Sequence, residues 1–305
     1  MAKSYELFEP TFCQMCGSDL KKKSEVIGFR MGCSQGLYPF NKTSLATTIC
    51  RCKSCGLVYA NPMPLPVNIQ DHYSAESGDE YHGFSSWNSN WFSTQIKIFN
   101  DLHQTKKSKL KALDVGCGSG HVVKSLTEAG FDAYGIEPSD VFFKEIITDF
   151  PEIKDSILNT TLEDASFKSN SFDFITFGAV LEHLPYPGEA LQKASNLLSK
   201  GGLIHLEIPN AKWLVSDIID FYYRLTRAQL TTKASPLHSP YHLYEFTEAS
   251  FHSFAKKNNL EVVFCESYVS SIPHFPRFLK PPLRLLMKIT NRYMQLHVWL
   301  KKAED

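Results

Sequence analysis

Leu110-Lys111-Ala112-Leu113-Asp114-Val115-Gly116-Cys117-Gly118-Ser119-Gly120-His121 is the stretch whose reading decides the fold of this chain. Its apolar run predicts a strand over 111–115 that closes on an acid. A glycine-rich turn follows, then apolar spacing that predicts a helix over 120–129, with Gly130 in the place of a C-cap. Strand, glycine turn and helix in that order make a ligand loop, because glycines let the backbone approach a bound molecule and a helix start presents free N–H groups. The spacing narrows the ligand. A nicotinamide loop reads G-x-G-x-x-G and a P-loop G-x-x-x-x-G-K-[ST], whereas these glycines fall as G-x-G-x-G behind Asp114. A carboxylate there repels a pyrophosphate and welcomes a cationic or hydroxyl-rich ligand.

Downstream, strand and helix patterns alternate. Strands are predicted at 132–136, 156–158, 172–177 and 203–208, and helices at about 139–149 and 187–199. Ser139 serves as an N-cap, Pro187 suits a first turn, and Gly201-Gly202 breaks the chain ahead of the fifth strand. Such alternation predicts a parallel sheet with helices on both faces. Residues 210–245 leave this rhythm with an amphipathic helix over 213–228 and a loop rich in His, Pro and Tyr. A helix over 247–258, a strand over 260–268 and a basic, apolar helix over 279–290 follow. This last helix reads as a cap on the domain, with a membrane-surface helix as the alternative, and 293–300 reads as a final edge strand.

Upstream lie Cys13-Gln14-Met15-Cys16-Gly17 and Cys52-Lys53-Ser54-Cys55-Gly56. Two C-x-x-C turns, each closed by a glycine, aim four thiolates at one tetrahedral Zn²⁺. Strand-like sequence such as Val26-Ile27-Gly28-Phe29-Arg30 fills the long gap between them and predicts a zinc-ribbon-like module with an enlarged hairpin. Four thiolates leave no position for water, so the metal is expected to be structural. Redox catalysis is disfavoured because no βαβ pattern surrounds either pair, and Cys33 and Cys50 read as spectators. Asn61-Pro62-Met63-Pro64-Leu65-Pro66 reads as a stiff, extended connector, and aromatics from Trp91 to Leu102 predict a docking helix over about 87–104. Three parts result: a zinc-binding module (1–66), a linker and docking helix (67–109), and a main domain (110–305) carrying a substrate-side insertion at 210–246.

The chain has 305 residues, is 43% hydrophobic and 21% charged, and carries no formal net charge, which argues against a dedicated nucleic-acid binder. No apolar run approaches the ~20 residues of a membrane span and the N-terminus lacks a signal-peptide core. A cytoplasmic protein is expected, with its eight cysteines reduced.

Five stretches in order resemble the motifs of the class I S-adenosylmethionine-dependent methyltransferases, over most of residues 110–270. Asp114-Val115-Gly116-Cys117-Gly118-Ser119-Gly120 resembles the first motif, and Gly135-Ile136-Glu137-Pro138-Ser139 the second. Thr161-Leu162-Glu163-Asp164-Ala165 is similar to the segment flanking adenine. Phe172-Asp173-Phe174-Ile175 through Val180-Leu181-Glu182-His183-Leu184 resembles the fourth-strand motif, and Leu206-Glu207-Ile208-Pro209-Asn210 the fifth. The resemblance implies a seven-stranded, Rossmann-like doubly wound sheet with the last strand antiparallel. It implies that Asp114, Gly116, Gly118 and Gly120 hold the amino-acid end of S-adenosylmethionine and that Glu137 grips the ribose hydroxyls. Glu163 or Asp164 would receive the adenine amino group beside Leu162, and Phe177 and Gly178 would lie at the strand end where ligands bind.

Together with the cysteine pairs, the chain is similar to a subgroup with an N-terminal zinc module, some members of which methylate sugars carried on nucleotides. In those members a linker tyrosine and a His-containing loop frame the acceptor. Here Tyr73 and Tyr81 are the linker candidates and Tyr241-His242-Leu243-Tyr244-Glu245-Phe246-Thr247 the loop, with Tyr241 where sugar C-methylating members typically carry Glu. His242 is the first candidate for the base that takes the acceptor's proton, with His238 and His183 behind it and Glu182 acting beside His183. The expected function is methyl transfer to a small polar acceptor such as a sugar or nucleotide-sugar. The alternatives are an RNA methyltransferase gripping RNA through the zinc module, and a non-catalytic cofactor-binding scaffold.

Overall fold

The computed structural model describes residues 4–33, 42–68, 70, 92–103, 109–238, 240–272 and 275–303. The N-terminal part comprises β1 (Tyr5–Phe8), α1 (Leu20–Lys23), β2 (Ser24–Cys33), β3 (Lys42–Cys52), β4 (Val58–Asn61) and β5 (Met63–Pro66). The docking helix is α2 (Ser93–Leu102). Then come β6 (Lys111–Val115), α3 (His121–Glu128), β7 (Asp132–Ile136), α4 (Asp140–Asp149), β8 (Ile157–Leu158), β9 (Phe172–Gly178), α5 (Pro187–Leu197) and β10 (Leu198–Pro209). The chain closes with α6 (Leu214–Leu225), β11 (Tyr244–Glu245), α7 (Glu248–Lys257), β12 (Leu260–Tyr268), α8 (Lys280–Thr290) and β13 (Gln295–Lys302).

Seven strands make the main sheet in the order β12-β13-β10-β9-β6-β7-β8, with only β13 antiparallel to its neighbours. Alternate residues of each strand face opposite ways, as the two-residue period of a strand requires. Leu113, Ile175, Ile204 and Val298 join one apolar cluster, while Ala112, Phe174, Leu203 and Trp299 join the other. Helices cover both faces, so the sheet is doubly wound as expected.

Two expectations need correction. The last strand is not at an edge: β13 lies between β10 and β12, and Trp299 in its middle is fully buried and stacked on Phe174 at 5.5 Å. Strand period alone fixes which face a residue takes, not which neighbour its strand inserts between. Nor do Gly201-Gly202 end the preceding segment, because they fall inside β10, where pairing with β9 shifts register between Leu198 and Leu203.

The cysteine-bearing segment is continuous with the rest. A second, antiparallel sheet runs β11-β4-β3-β2, so Tyr244 and Glu245 from the 210–246 insertion pair with Tyr59 and Val58. Cys13, Cys52, Cys55, Val58 and Tyr59 share one apolar cluster with Leu113, Phe251 and Phe254. The proline connector is extended, as its sequence predicts, and its second half is β5, paired antiparallel with β1.

The insertion is anchored by a buried charge. Lys233 is fully buried and donates from Nζ to the Ala211 carbonyl (2.7 Å) and to Asp217 Oδ1 (2.8 Å), while Arg292 binds the other Asp217 oxygen. Removing one partner of a buried pair strands the other. Asp217→Ala is therefore expected to lower the free energy of unfolding by about 3–5 kcal/mol, read from urea denaturation; a change under about 1 kcal/mol would show the pair to be dispensable.

Candidate active site

A cavity of 1340 Å³ opens at the carboxyl ends of β6, β7 and β9, where open α/β sheets bind ligands. Its floor is the glycine loop. Gly116 and Gly120 are held at φ +68° and +78°, and a Cβ would come within 2.6 Å of Val180 Cγ2 at Gly116 and 2.9 Å of Ile146 Cγ2 at Gly120. Gly120, expected to contact the ligand, is not among the residues that line the cavity; it lets α3 start against α4. Gly118 is different. A Cβ there would meet nothing within 4 Å, and its N–H donates to Glu137 Oε2 at 2.8 Å.

Glu137 follows directly on β7 and is 5% exposed. Its other oxygen accepts from the Ser139 N–H at 2.9 Å, and Ser139 caps α4 through its own hydroxyl. Burial pushes the Glu137 carboxyl up to about 7, against the pull of the two backbone N–H groups. Asp114 is also buried, and burial followed by repulsion from Glu137 raises its carboxyl well above the usual range. Two lone pairs on each Glu137 oxygen, one taken by an N–H, leave room for further donors. Leu162 and Glu163 line the next part of the wall, whereas Asp164 accepts from the Thr161 hydroxyl at 3.0 Å and closes its own turn.

His183 and His242 line the same cavity, ring centroids 5.0 Å apart and nearly perpendicular. His242 is 20% exposed and its Nε2 lies 3.6 Å from Glu182 Oε1. Its backbone is tied down on both sides, since the Ser235 N–H donates to its carbonyl and its own N–H to Ser235 Oγ. Burial, then the neighbouring His183 and His238, hold the His242 imidazole well below its ordinary value, so it is neutral at pH 7. Glu182 is 2% exposed and lies behind the histidines, with burial raising its carboxyl to about 8.

Two other candidates lie elsewhere. Phe177 is fully buried in the core, while Gly178, named with it, lines the cavity beside Ala179, because a strand's alternation turns every second side chain away. His238 Nε2 accepts from Arg30 Nε at 3.2 Å and does not line the cavity. Tyr73 and Tyr81 fall outside the described residues.

Contributions from the connector were not foreseen. Pro64, Leu65 and Pro66 line the cavity, and Gln70 donates to the Pro138 carbonyl (2.7 Å) while accepting from the Asp140 N–H (3.0 Å), clamping the start of α4. Tyr241, also in the wall, is held at φ +61°, a region that non-glycine residues seldom adopt. Among the described residues the wall carries six carboxylates, Glu6, Asp114, Glu137, Glu145, Asp149 and Glu163, and no lysine or arginine.

The four cysteines form a separate cluster, away from this cavity, with one Sγ from each of Cys13, Cys16, Cys52 and Cys55 all within 4.8 Å of one another. Cys13 to Cys55 and Cys16 to Cys52 are 3.6 Å apart, far longer than a disulfide. The Gly17 and Gly56 N–H groups donate to the Cys13 and Cys52 carbonyls, closing two matching turns. Thr247 at the start of α7 donates to the Cys55 carbonyl and Lys257 at its end to that of Cys16, so both turns rest on one helix.

A family profile described as a methyltransferase domain matches residues 89–264. The chain belongs to this family. Among members and neighbours, it is 31% identical over 147 residues to the ubiquinone biosynthesis O-methyltransferase of Haemophilus ducreyi, spanning 43% of this chain and 61% of that protein. It is 26% identical over 172 residues to the protein of the same name from Pectobacterium atrosepticum, spanning 50% of this chain and 70% of the relative. The solved structure of a SAM-dependent methyltransferase from Archaeoglobus fulgidus superposes with a TM-score of 0.50 at 16% identity, covering 75% of this chain and all of the other. For this methyltransferase-domain protein, that likeness establishes the fold. No helix among its described residues is long and apolar enough to cross a membrane.

Proposed function

We propose that the protein transfers a methyl group from S-adenosylmethionine to a hydroxyl of a small, uncharged acceptor. The observation that carries the cofactor half is Glu137, a buried carboxylate on the cavity wall whose two oxygens each hold one backbone N–H and keep a lone pair for a ribose diol. Asp114 beside it suits a cationic amino-acid end, which would relieve the mutual repulsion that raises its carboxyl. Leu162 and Glu163 are the adenine-side residues. Bound S-adenosylmethionine would bring a methyl group already activated on a sulfonium, so the protein's task is alignment and proton removal. With Nε2 turned toward Glu182, His242 Nδ1 is the atom left to take the acceptor's proton, and His183 packs edge-on to keep the ring in place. Pro64, Leu65, Pro66 and Leu184 give the wall an apolar part.

The wall's six carboxylates and the lack of any described lysine or arginine in it favour an uncharged acceptor over a nucleotide-sugar, whose diphosphate wants cations. The same charge pattern weighs against RNA, which is gripped through its phosphates. The four thiols are read as a structural Zn²⁺ site. Zn–S bonds of about 2.3 Å put tetrahedral sulfurs about 3.8 Å apart, close to the 3.6 Å of the two measured pairs.

Titration with S-adenosylhomocysteine tests the cofactor half. Glu137→Gln sets an amide NH₂ against the Gly118 or Ser139 N–H and removes charge-assisted bonds, so affinity is expected to fall about a hundredfold or more. Wild-type affinity in that variant would refute this site. Methyl transfer to neutral hydroxylated acceptors, compared with nucleotide-sugars, tests the acceptor half, and turnover confined to the nucleotide-sugars would overturn it.

A further inference from the structure

The strands β12 and β13 are antiparallel neighbours with Tyr268 opposite Gln295, an arrangement a short hairpin would serve. Instead the chain makes an excursion, described at 269–272 and 275–294. It begins at Val269, a β-branched residue held at φ +64°, a conformation such residues strongly disfavour. Both β10 and β12 are antiparallel to β13, so β12 ends at the same edge of the sheet as the cavity, and the excursion leaves from that edge.

Its helix, α8, is poorly buried. Met287 is its only buried residue, and with Leu283 it packs on Leu214 and Val215 of α6. That contact seats the helix and uses one apolar stripe. A second stripe faces solvent: Leu285 is 59% exposed, Leu286 42%, Ile289 72%, and Phe278 just ahead of the helix 75%. Lys280, Arg284 and Lys288 recur every fourth residue and form a cationic stripe one position round the helix from Leu285 and Ile289. Arg277 extends it, and no acidic residue occurs from 277 to 290. A helix with a spare apolar stripe flanked by unopposed cations has the make-up of one that lies in a bilayer interface.

We infer that α8 docks the protein on an anionic phospholipid surface, with Phe278, Leu285 and Ile289 in the interface and Lys280, Arg284 and Lys288 over the headgroups. The charge pattern selects this partner, since cations near such a surface each add to binding while neutral lipid offers them nothing. Docking by α8 brings the carboxyl edge of the sheet, and the cavity with it, beside the bilayer. Delivery of an acceptor with an apolar body from the membrane then follows, a step that rests on the acceptor reading above, whereas docking does not.

Co-sedimentation of the full chain with vesicles of equal parts phosphatidylcholine and phosphatidylglycerol is the test, with phosphatidylcholine vesicles as control. The protein is expected to pellet with the anionic vesicles alone. Leu285→Ser with Ile289→Ser should weaken this about tenfold or more, and Arg284→Gln with Lys288→Gln should remove the preference for phosphatidylglycerol. All four positions lie outside the cavity wall, so S-adenosylhomocysteine affinity and turnover on a soluble acceptor should stay at wild-type values. Failure to pellet, pelleting untouched by the serine variant, or a dimer that Leu285→Ser splits into monomers would each overturn docking. Loss of turnover with docking intact would count against the acceptor reading instead.

Discussion

A His242→Gln enzyme is expected to bind S-adenosylhomocysteine as the wild type does and to turn over about 10²–10⁴-fold more slowly, the range for a lost general base. The separation of binding from turnover follows from position. His242 touches none of the groups that bind Glu137, which are the Gly118 and Ser139 N–H groups, and the bonds that hold its loop, from the Ser235 N–H to its carbonyl and from its N–H to Ser235 Oγ, use its backbone, which glutamine keeps. A variant that loses cofactor affinity in step with turnover would show His242 to be a structural residue.

The pH profile carries a second signature of the same pair. Glu182 ionises at about 8 because it is buried. Below that value it is a neutral acid. Above it, the carboxylate 3.6 Å from His242 Nε2 stabilises by its charge the imidazolium formed when Nδ1 takes a proton. Turnover should rise as pH passes about 8 in the wild type and lose that limb in Glu182→Gln. Stability runs the other way. The folded carboxyl holds its proton to about 8 and the unfolded one sheds it near 4.5, so this stabilising contribution is complete below 4.5 and lost as pH climbs to 8. Glu182→Gln, a permanent mimic of the protonated form, should thus melt higher than the wild type above pH 8 and alike near pH 4. A flat wild-type profile would remove Glu182 from the chemistry.

The glycine-loop part of this cavity was legible because it is local. One strand, one glycine turn and one acid at the end of the next strand sit within a short run, and chain geometry alone brings Asp114, Gly118 and Glu137 to the same wall. The rest of the wall is assembled from afar. Pro64 and Leu65 reach it from an edge strand, and His242 from a loop whose neighbours Tyr244 and Glu245 complete a sheet begun by β2, β3 and β4. No periodicity encodes such pairing. Phe177 and Gly120 mark the limit of motif reading: each sits beside ligand-facing residues, but one turns into the core and the other fills a gap against α4. The place of β13 between β10 and β12 was illegible for a similar reason, since its pattern fits an edge as well as an interior.

Chelation, or Cys55→Ser, is expected to cost far more than the size of the cysteine turns suggests. Structural zinc contributes about 10–16 kcal/mol of apparent folding free energy in isolated finger peptides, comparable with the whole net stability of a domain, about 5–15 kcal/mol. An independent module would unfold alone. Here the cysteines share one core with Val58, Tyr59 and Phe254, both turns rest on α7, and β4 carries β11, which follows directly on Leu243 and His242. Loss of the metal should therefore loosen the wall around His242 while sparing Glu137, which follows β7 in the main sheet. The expected result is a fall in melting temperature of more than about 10 °C, given about 2–4 °C per kcal/mol for domains of about 150–250 residues. Turnover should be lost with it, while S-adenosylhomocysteine affinity stays within about threefold at temperatures below the new midpoint. Metal analysis of the purified wild type should find one zinc per chain, and Cys55→Ser should carry none. A chelated wild type with unchanged melting and turnover would mean that the thiols pack as a dry core and hold no ion.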